Sequence, residues 1–233
     1  MTRRDELAAN LEATRARIAA ACKAAGRSGD DVVLVAVTKT WPASDVRLLA
    51  ELGVSDVGEN RDQEARDKHA DCADLELRWH FVGQLQRNKV SSVATYADVV
   101  HSIDRVSLVA PLGRAAAADG RSILALVQVS LDAVPTAGRG GANQADVLSL
   151  ADAVAGTPGL VLGGVMAVAP QDDDPDAAFS RLEATAAAVR GAHPGATLIS
   201  AGMTGDLEAA VRHGATHVRV GTALLGRRTP LVG

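Results

Sequence analysis

Short apolar runs and amphipathic stretches alternate eight times along this chain, with no long linker and no break in composition between them. The apolar runs fall at 32–38, 55–58, 79–82, 99–102, 123–130, 160–168, 197–201 and 217–221, and they read as strands. Between them, 44–52, 61–69, 106–118, 144–155, 175–190 and 207–213 carry helical spacing. Strand–helix alternation predicts parallel pairing with right-handed crossovers. Eight such units within about 200 residues predict an α/β fold, a single (β/α)8 TIM barrel. The short second and third runs leave a doubly wound open sheet as the alternative on pattern alone. Ahead of the first unit, Leu7, Leu11, Ile18 and Cys22 share one face of a further, N-terminal helix, which a Gly26-Arg-Ser-Gly29 break ends. The chain is therefore read as one domain over 1–233, with the extra helix in 1–28 and the barrel in 29–233. Little chain remains after Gly226 for a last helix.

Hydrophobic residues make up 47% of the chain but aromatics only 2%, so the core has to be built from Ala, Val and Leu. A net charge of −4 offers no electrostatic footprint for nucleic acid or an anionic membrane. Cys22 and Cys72 are too few for a disulfide framework and suit a reducing compartment. No apolar run approaches membrane-spanning length, and the N-terminus enters charged residues without a signal-like apolar region. The expectation is a soluble cytoplasmic monomer without nucleic-acid or membrane partners.

A barrel collects its functional residues at the C-terminal ends of its strands. Lys39 stands out there. Of the four lysines, Lys23, Lys68 and Lys89 fall on polar helix faces or near helix starts. Lys39 alone closes an apolar strand, on the face of Val33, Val35 and Val37. That face leads toward a low-dielectric interior, a setting that favours amine chemistry on an aldehyde; the plainer reading is a lysine that reaches out into solvent. Arg219, on the last strand, alternates with Val218 and Val220 and precedes Gly221-Thr222. A barrel arginine needs an acceptor or an anion, and a phosphate site after the seventh and eighth strands recurs in this fold. Ser200-Ala-Gly-Met-Thr204 adds hydroxyls to that site, although such residues also serve ordinary turns.

Other constellations are weaker. His213 and His217 are split by Gly214 and do not share a helix face, which argues against a zinc pair. Asp174 before Pro175 reads as a helix N-cap rather than a cation site. His80 and His101 sit at strand ends and could reach the site, or be core histidines satisfied by backbone.

A lysine on the first strand with a phosphate cradle on the last two suggests a phosphorylated aldehyde ligand. At this point the sequence resembles the pyridoxal phosphate homeostasis family, also called the proline synthetase co-transcribed family, whose barrel is alanine-racemase-like. The resemblance is carried by Leu34-Val-Ala-Val-Thr-Lys39, Gly58-Glu-Asn60, Trp79-His-Phe-Val-Gly83, Leu85-Gln-Arg-Asn-Lys89, His101-Ser-Ile-Asp-Arg105, Gly164-Val-Met166, Ser200-Ala-Gly-Met-Thr204 and Val218-Arg-Val-Gly-Thr222, in order over most of the chain. It implies that pyridoxal 5′-phosphate (PLP) is held as an imine on Lys39, that Arg219 faces the pyridine nitrogen, and that Asn60 lines the ring. It further implies that Ser200, Thr204, Gly221 and Thr222 hold the phosphate. The implied role is PLP homeostasis without efficient turnover, with PLP-dependent apoenzymes as recipients.

Two departures from the family stand out. The segment 131–141 lacks an acidic residue followed by Lys-Gly, with Arg139 as a substitute for that lysine, and Thr204 stands where serine is commoner. Two other readings compete. A PLP-dependent racemase needs a second base opposite Lys39, and the single tyrosine, Tyr96, lies between the third helix and the fourth strand. A Schiff-base aldolase without PLP needs acid–base carboxylates that the strand ends scarcely supply.

Overall fold

A computed structural model describes residues 1–132 and 140–226. The eight strands are β1 (Val33–Val37), β2 (Asp56–Glu59), β3 (Arg78–Phe81), β4 (Val99–Ile103), β5 (Ile123–Gln128), β6 (Leu160–Met166), β7 (Leu198–Ser200) and β8 (His217–Val220). All pair in parallel in sequence order, and β8 closes on β1 through the register Val35↔Arg219. The closed barrel is the expected fold, and the open sheet is excluded. Around it lie α1 (Arg3–Ala24), α2 (Ala43–Glu51), α3 (Asp62–Asp71), α4 (Val90–Tyr96), α5 (Val109–Ala118), α6 (Val147–Ala155), α7 (Pro175–Ala192), α8 (Leu207–Arg212) and the single turn α9 (Thr222–Leu225). The helix α4 escapes the sequence pattern because it is short and opens on the polar run Gln86–Lys89. Asp174 caps α7 by accepting from the Asp176 amide, with Pro175 in the first turn, as its sequence predicts.

Among the described residues only the single turn α9 follows β8, and α1 packs beside it. Leu7, Leu11 and Ile18 of α1 pack with Leu207, Val211, Val218, Val220 and Leu224 in a core of their own. The extra N-terminal helix thus covers the outside of β8 and β1, where the single turn α9 is too short to do so. Alternation on β8 then sends His217 and Arg219 inward while Val218 and Val220 face α1. The same period places Asp56, His80, His101 and Ser200 on the inner face of β2, β3, β4 and β7. One half of the barrel interior is polar as a result. Among the described residues no helix is long and apolar enough to cross a membrane.

Candidate functional site

A cavity of about 710 Å³ opens at the C-terminal mouth of the barrel. Lys39, Asn60, Thr204, Arg219, Gly221 and Thr222 all line it, so six of the seven residues singled out in the sequence converge there. Ser200 is not among the lining residues. Its side chain is fully buried, and its hydroxyl is engaged by Arg219 Nη1 (2.6 Å) and His101 Nδ1 (2.9 Å) inside the barrel. Period-two alternation on β7 turns it inward, below the cavity floor. Arg139 lies outside the described residues.

Lys39 also differs in detail from its expectation. It is exposed, two residues beyond the end of β1, in a turn rather than on the strand. Its amine has no hydrogen-bond or ion-pair partner among the described residues. The turn itself is held from below. Lys68, read as a polar-face residue from the sequence, is buried and donates to the Thr38 carbonyl (2.7 Å), to Glu59 Oε1 (2.6 Å) and to Glu64 Oε1 (2.7 Å). Thr38 Oγ1 donates to Glu59 (2.7 Å), and the Thr40 amide donates to Glu64. One ammonium and two carboxylates therefore fix the backbone on both sides of Lys39. Thr40 is held at φ 68°, a left-handed conformation uncommon for threonine. Burial pushes the Glu59 carboxyl up, against the pull of Lys68. The i, i+4 spacing of Glu64 and Lys68 was the readable signal; their burial was not.

Arg219 is the floor of the cavity. It is 5% exposed, and its Nη2 donates to the Ala167 carbonyl at 2.9 Å. Burial brings its pKa down to about 10, so it stays a cation at neutral pH. Its hydrogen-bond partners are a hydroxyl and a carbonyl rather than a carboxylate, which leaves it suited to a neutral or anionic acceptor from the cavity side. Asn60 Oδ1, at the edge of the same cavity, is buried without a partner. An orphaned acceptor of this kind marks a place where a ligand's donor fits. Gly83 belongs to the lining for a steric reason: a Cβ there would lie 2.2 Å from the Asn60 carbonyl oxygen. Trp41, which carries no motif or periodicity that singles it out, forms part of the wall and is stacked beneath Arg3, 4.5 Å from the ring centre.

The histidines are satisfied by side chains, not by backbone. His80 Nε2 bonds Asp56 Oδ1 (2.9 Å), and His80 Nδ1 bonds His101 Nε2 (2.8 Å). Burial, with His80 and Arg219 nearby, holds His101 well below the ordinary histidine range. No group of three or more potential metal ligands occurs among the described residues.

The model of the alanine racemase N-terminal domain family matches residues 7–229. A Mycobacterium tuberculosis protein named pyridoxal phosphate homeostasis protein is 44% identical over 245 aligned residues, covering 97% of this chain and 94% of its own. The Escherichia coli protein of that name is 35% identical, covering 96% and 97%. Among solved structures, PipY of Synechococcus elongatus with PLP bound superposes with a TM-score of 0.82 at 32% identity, covering 94% of this chain and all of that one.

Proposed function

The chain belongs to the pyridoxal phosphate homeostasis family, on an alanine-racemase-type barrel, and from that premise we propose that it binds PLP in the mouth cavity and serves PLP homeostasis. Lys39 is the amine that takes the aldehyde. The observation that carries this reading is the pairing, in one cavity, of a lysine amine without a partner and a buried arginine without a carboxylate.

The residues present fit the group. Arg219 offers donors to the ring nitrogen, the orphaned Asn60 Oδ1 accepts from a donor at the ring edge, and Thr204, Gly221 and Thr222 offer hydroxyls and close backbone approach to the phosphate. When bound, PLP supplies an aldehyde that condenses with amines and a ring that withdraws electrons from the product. The protein's own contribution is to orient and to restrain. Arg219 keeps its proton at neutral pH, so it would hold the ring nitrogen by donating a hydrogen bond without giving up that proton, and the bound ring would be a weak electron sink. The Lys68 clamp holds the Lys39 turn in place, and Trp41 shields one wall from water.

The match to the racemase domain favours a second reading, turnover of an amino acid. That chemistry needs a second base facing Lys39 across the ligand. Tyr96 does not supply it: it is 2% exposed in α4, away from the cavity, and burial pushes its phenol well up from its usual value. We therefore read the protein as a carrier without efficient turnover; passage of PLP to apoenzymes, as a monomer in the cytoplasm, is part of the same proposal and rests on the family alone. Borohydride reduction of the PLP-loaded protein followed by peptide mapping tests the assignment. The adduct is expected on Lys39 and is lost in Lys39→Ala with the fold unchanged by circular dichroism. Full trapping in the alanine variant would move the site to another lysine.

A further inference from the structure

Five buried side chains form one continuous line through the barrel interior. Arg219 Nη1 contacts Ser200 Oγ (2.6 Å), Ser200 Oγ contacts His101 Nδ1 (2.9 Å), His101 Nε2 contacts His80 Nδ1 (2.8 Å), and His80 Nε2 contacts Asp56 Oδ1 (2.9 Å). Every member is at most 7% exposed. They come from β8, β7, β4, β3 and β2, so the line crosses the barrel from the floor of the mouth cavity to the start of β2. At that end Asp56, braced by Ser55 Oγ (2.6 Å), lines a second cavity of about 480 Å³ between β1, β2 and α1.

The two ends fix the direction of every bond between them. An arginine can only donate and an ionised aspartate can only accept. Starting at Asp56, His80 must donate from Nε2, so its Nδ1, in a neutral ring, accepts. His101 must then donate from Nε2 and accept at Nδ1, and the Ser200 hydroxyl supplies that proton while accepting from Arg219. Each ring nitrogen is used once and the Ser200 hydroxyl once as donor and once as acceptor, with no donor facing a donor. A cationic histidine would break the sequence, because its second N–H would turn Ser200 into a double acceptor with its own proton unplaced. Burial opposes ionisation of Asp56, but the bonds from His80 and Ser55 outweigh it and hold its pKa below the usual range. The neutral state required of His101 agrees with its depressed pKa.

We propose that Asp56, His80 and His101 are positioning residues for Arg219: a one-directional hydrogen-bond wire that fixes Ser200 and the guanidinium under the ligand and ties the mouth cavity to a carboxylate at the opposite end of the barrel. The proposal rests on PLP being the ligand of the mouth cavity. It assigns a role to a polar interior that a packed barrel core does not otherwise need, since buried polar networks of this kind orient a group only when every member is satisfied.

Side-chain ¹⁵N–¹H correlation spectra of the ligand-free protein test the wire without reference to PLP. At about neutral pH both His80 and His101 are expected to be neutral and protonated at Nε2. A cationic ring, or an Nδ1–H tautomer at either residue, would overturn the proposal. Asp56→Leu removes the terminal acceptor and should scramble the tautomers while weakening PLP binding about tenfold, the scale of a lost hydrogen bond to a charged group. Asp56→Asn keeps an acceptor for His80 Nε2–H and should restore both the tautomers and most of the affinity. A general packing defect at this site would not be rescued selectively in this way. If the wild-type protein binds PLP and Asp56→Leu binds it equally well with the same visible spectrum, the wire does not position Arg219. If the wild-type protein fails to bind PLP, the functional reading falls, while the tautomers still decide whether the wire exists.

Discussion

Removing the cation under the Lys39 turn should cost stability and ligand capture together. In Lys68→Met the stem volume is largely kept, but Glu59 and Glu64 lose their shared counter-ion, and the Thr38 carbonyl loses its donor. Glu59 is 1% exposed, and its second oxygen already lacks a partner. Breaking a buried pair from one side typically costs about 3–5 kcal/mol, or roughly 10 °C in Tm for a chain of this size.

The pH dependence separates this cause from a simple packing defect. Without Lys68 the folded-state pKa of Glu59 rises further above its unfolded value, because burial is then opposed by Thr38 alone. The folded variant binds a proton that the unfolded chain does not, so its deficit is full at neutral pH and shrinks as pH falls through that raised value. Urea denaturation of both proteins at about pH 7.5 and about pH 5.5 should show the deficit narrowing toward acid. Glu59→Gln in the Lys68→Met background should recover part of it. Borohydride trapping of PLP on Lys39 should also fall, since Thr38 and Thr40 flank that residue. A deficit below about 1 kcal/mol, equal at both pH values, would refute the clamp, because that is the range of an ordinary exposed ion pair.

Pyridoxal without its phosphate should bind at least about tenfold more weakly than PLP, since charge-assisted hydrogen bonds contribute about 1.5–3 kcal/mol each; equal affinities by fluorescence titration would remove the cradle. Burial brings His217 down to about 4, so the folded state resists a proton that the unfolded chain accepts near 6.5. Stability from this residue is complete above about pH 6.5 and is lost as pH falls toward 4, on the order of 3 kcal/mol in all. In His217→Asn, thermal melts across that range should therefore show a shallower loss of stability toward acid.

Much of the fold was legible because its signals are local. Eight apolar runs with helical spacers predict a parallel sheet, whose closure the β8–β1 pairing supplies, and the strand limits moved by a few residues at most. The convergence of the loop residues was legible for the same reason: Lys39, Asn60, Thr204, Gly221 and Thr222 follow strand ends, and a barrel brings those ends to one cavity. What escaped depends on distance in sequence. Lys68 reads as a surface residue within its own helix and becomes buried only when α3 docks against β1 and β2. The wire joins residues on five strands, and no segment of sequence holds more than one of them.

Ser200 shows where motif reading and geometry part, and the two make opposite predictions for Ser200→Ala. As a phosphate ligand its loss would weaken PLP but leave pyridoxal untouched. As the hydroxyl between Arg219 and His101, outside the lining of the mouth cavity, it would act on the guanidinium proposed to meet the ring, which both ligands share. Loss of the hydroxyl also leaves Arg219 Nη1 and His101 Nδ1 facing each other without the group that satisfied both. Ser200→Ala should therefore weaken PLP and pyridoxal by the same factor, about tenfold for a hydrogen bond to a charged group. Thr222→Val, by contrast, should weaken PLP alone. Parallel titrations of the two ligands against the two variants decide it. A loss confined to PLP in Ser200→Ala would place the serine hydroxyl on the phosphate and detach Arg219 from the wire.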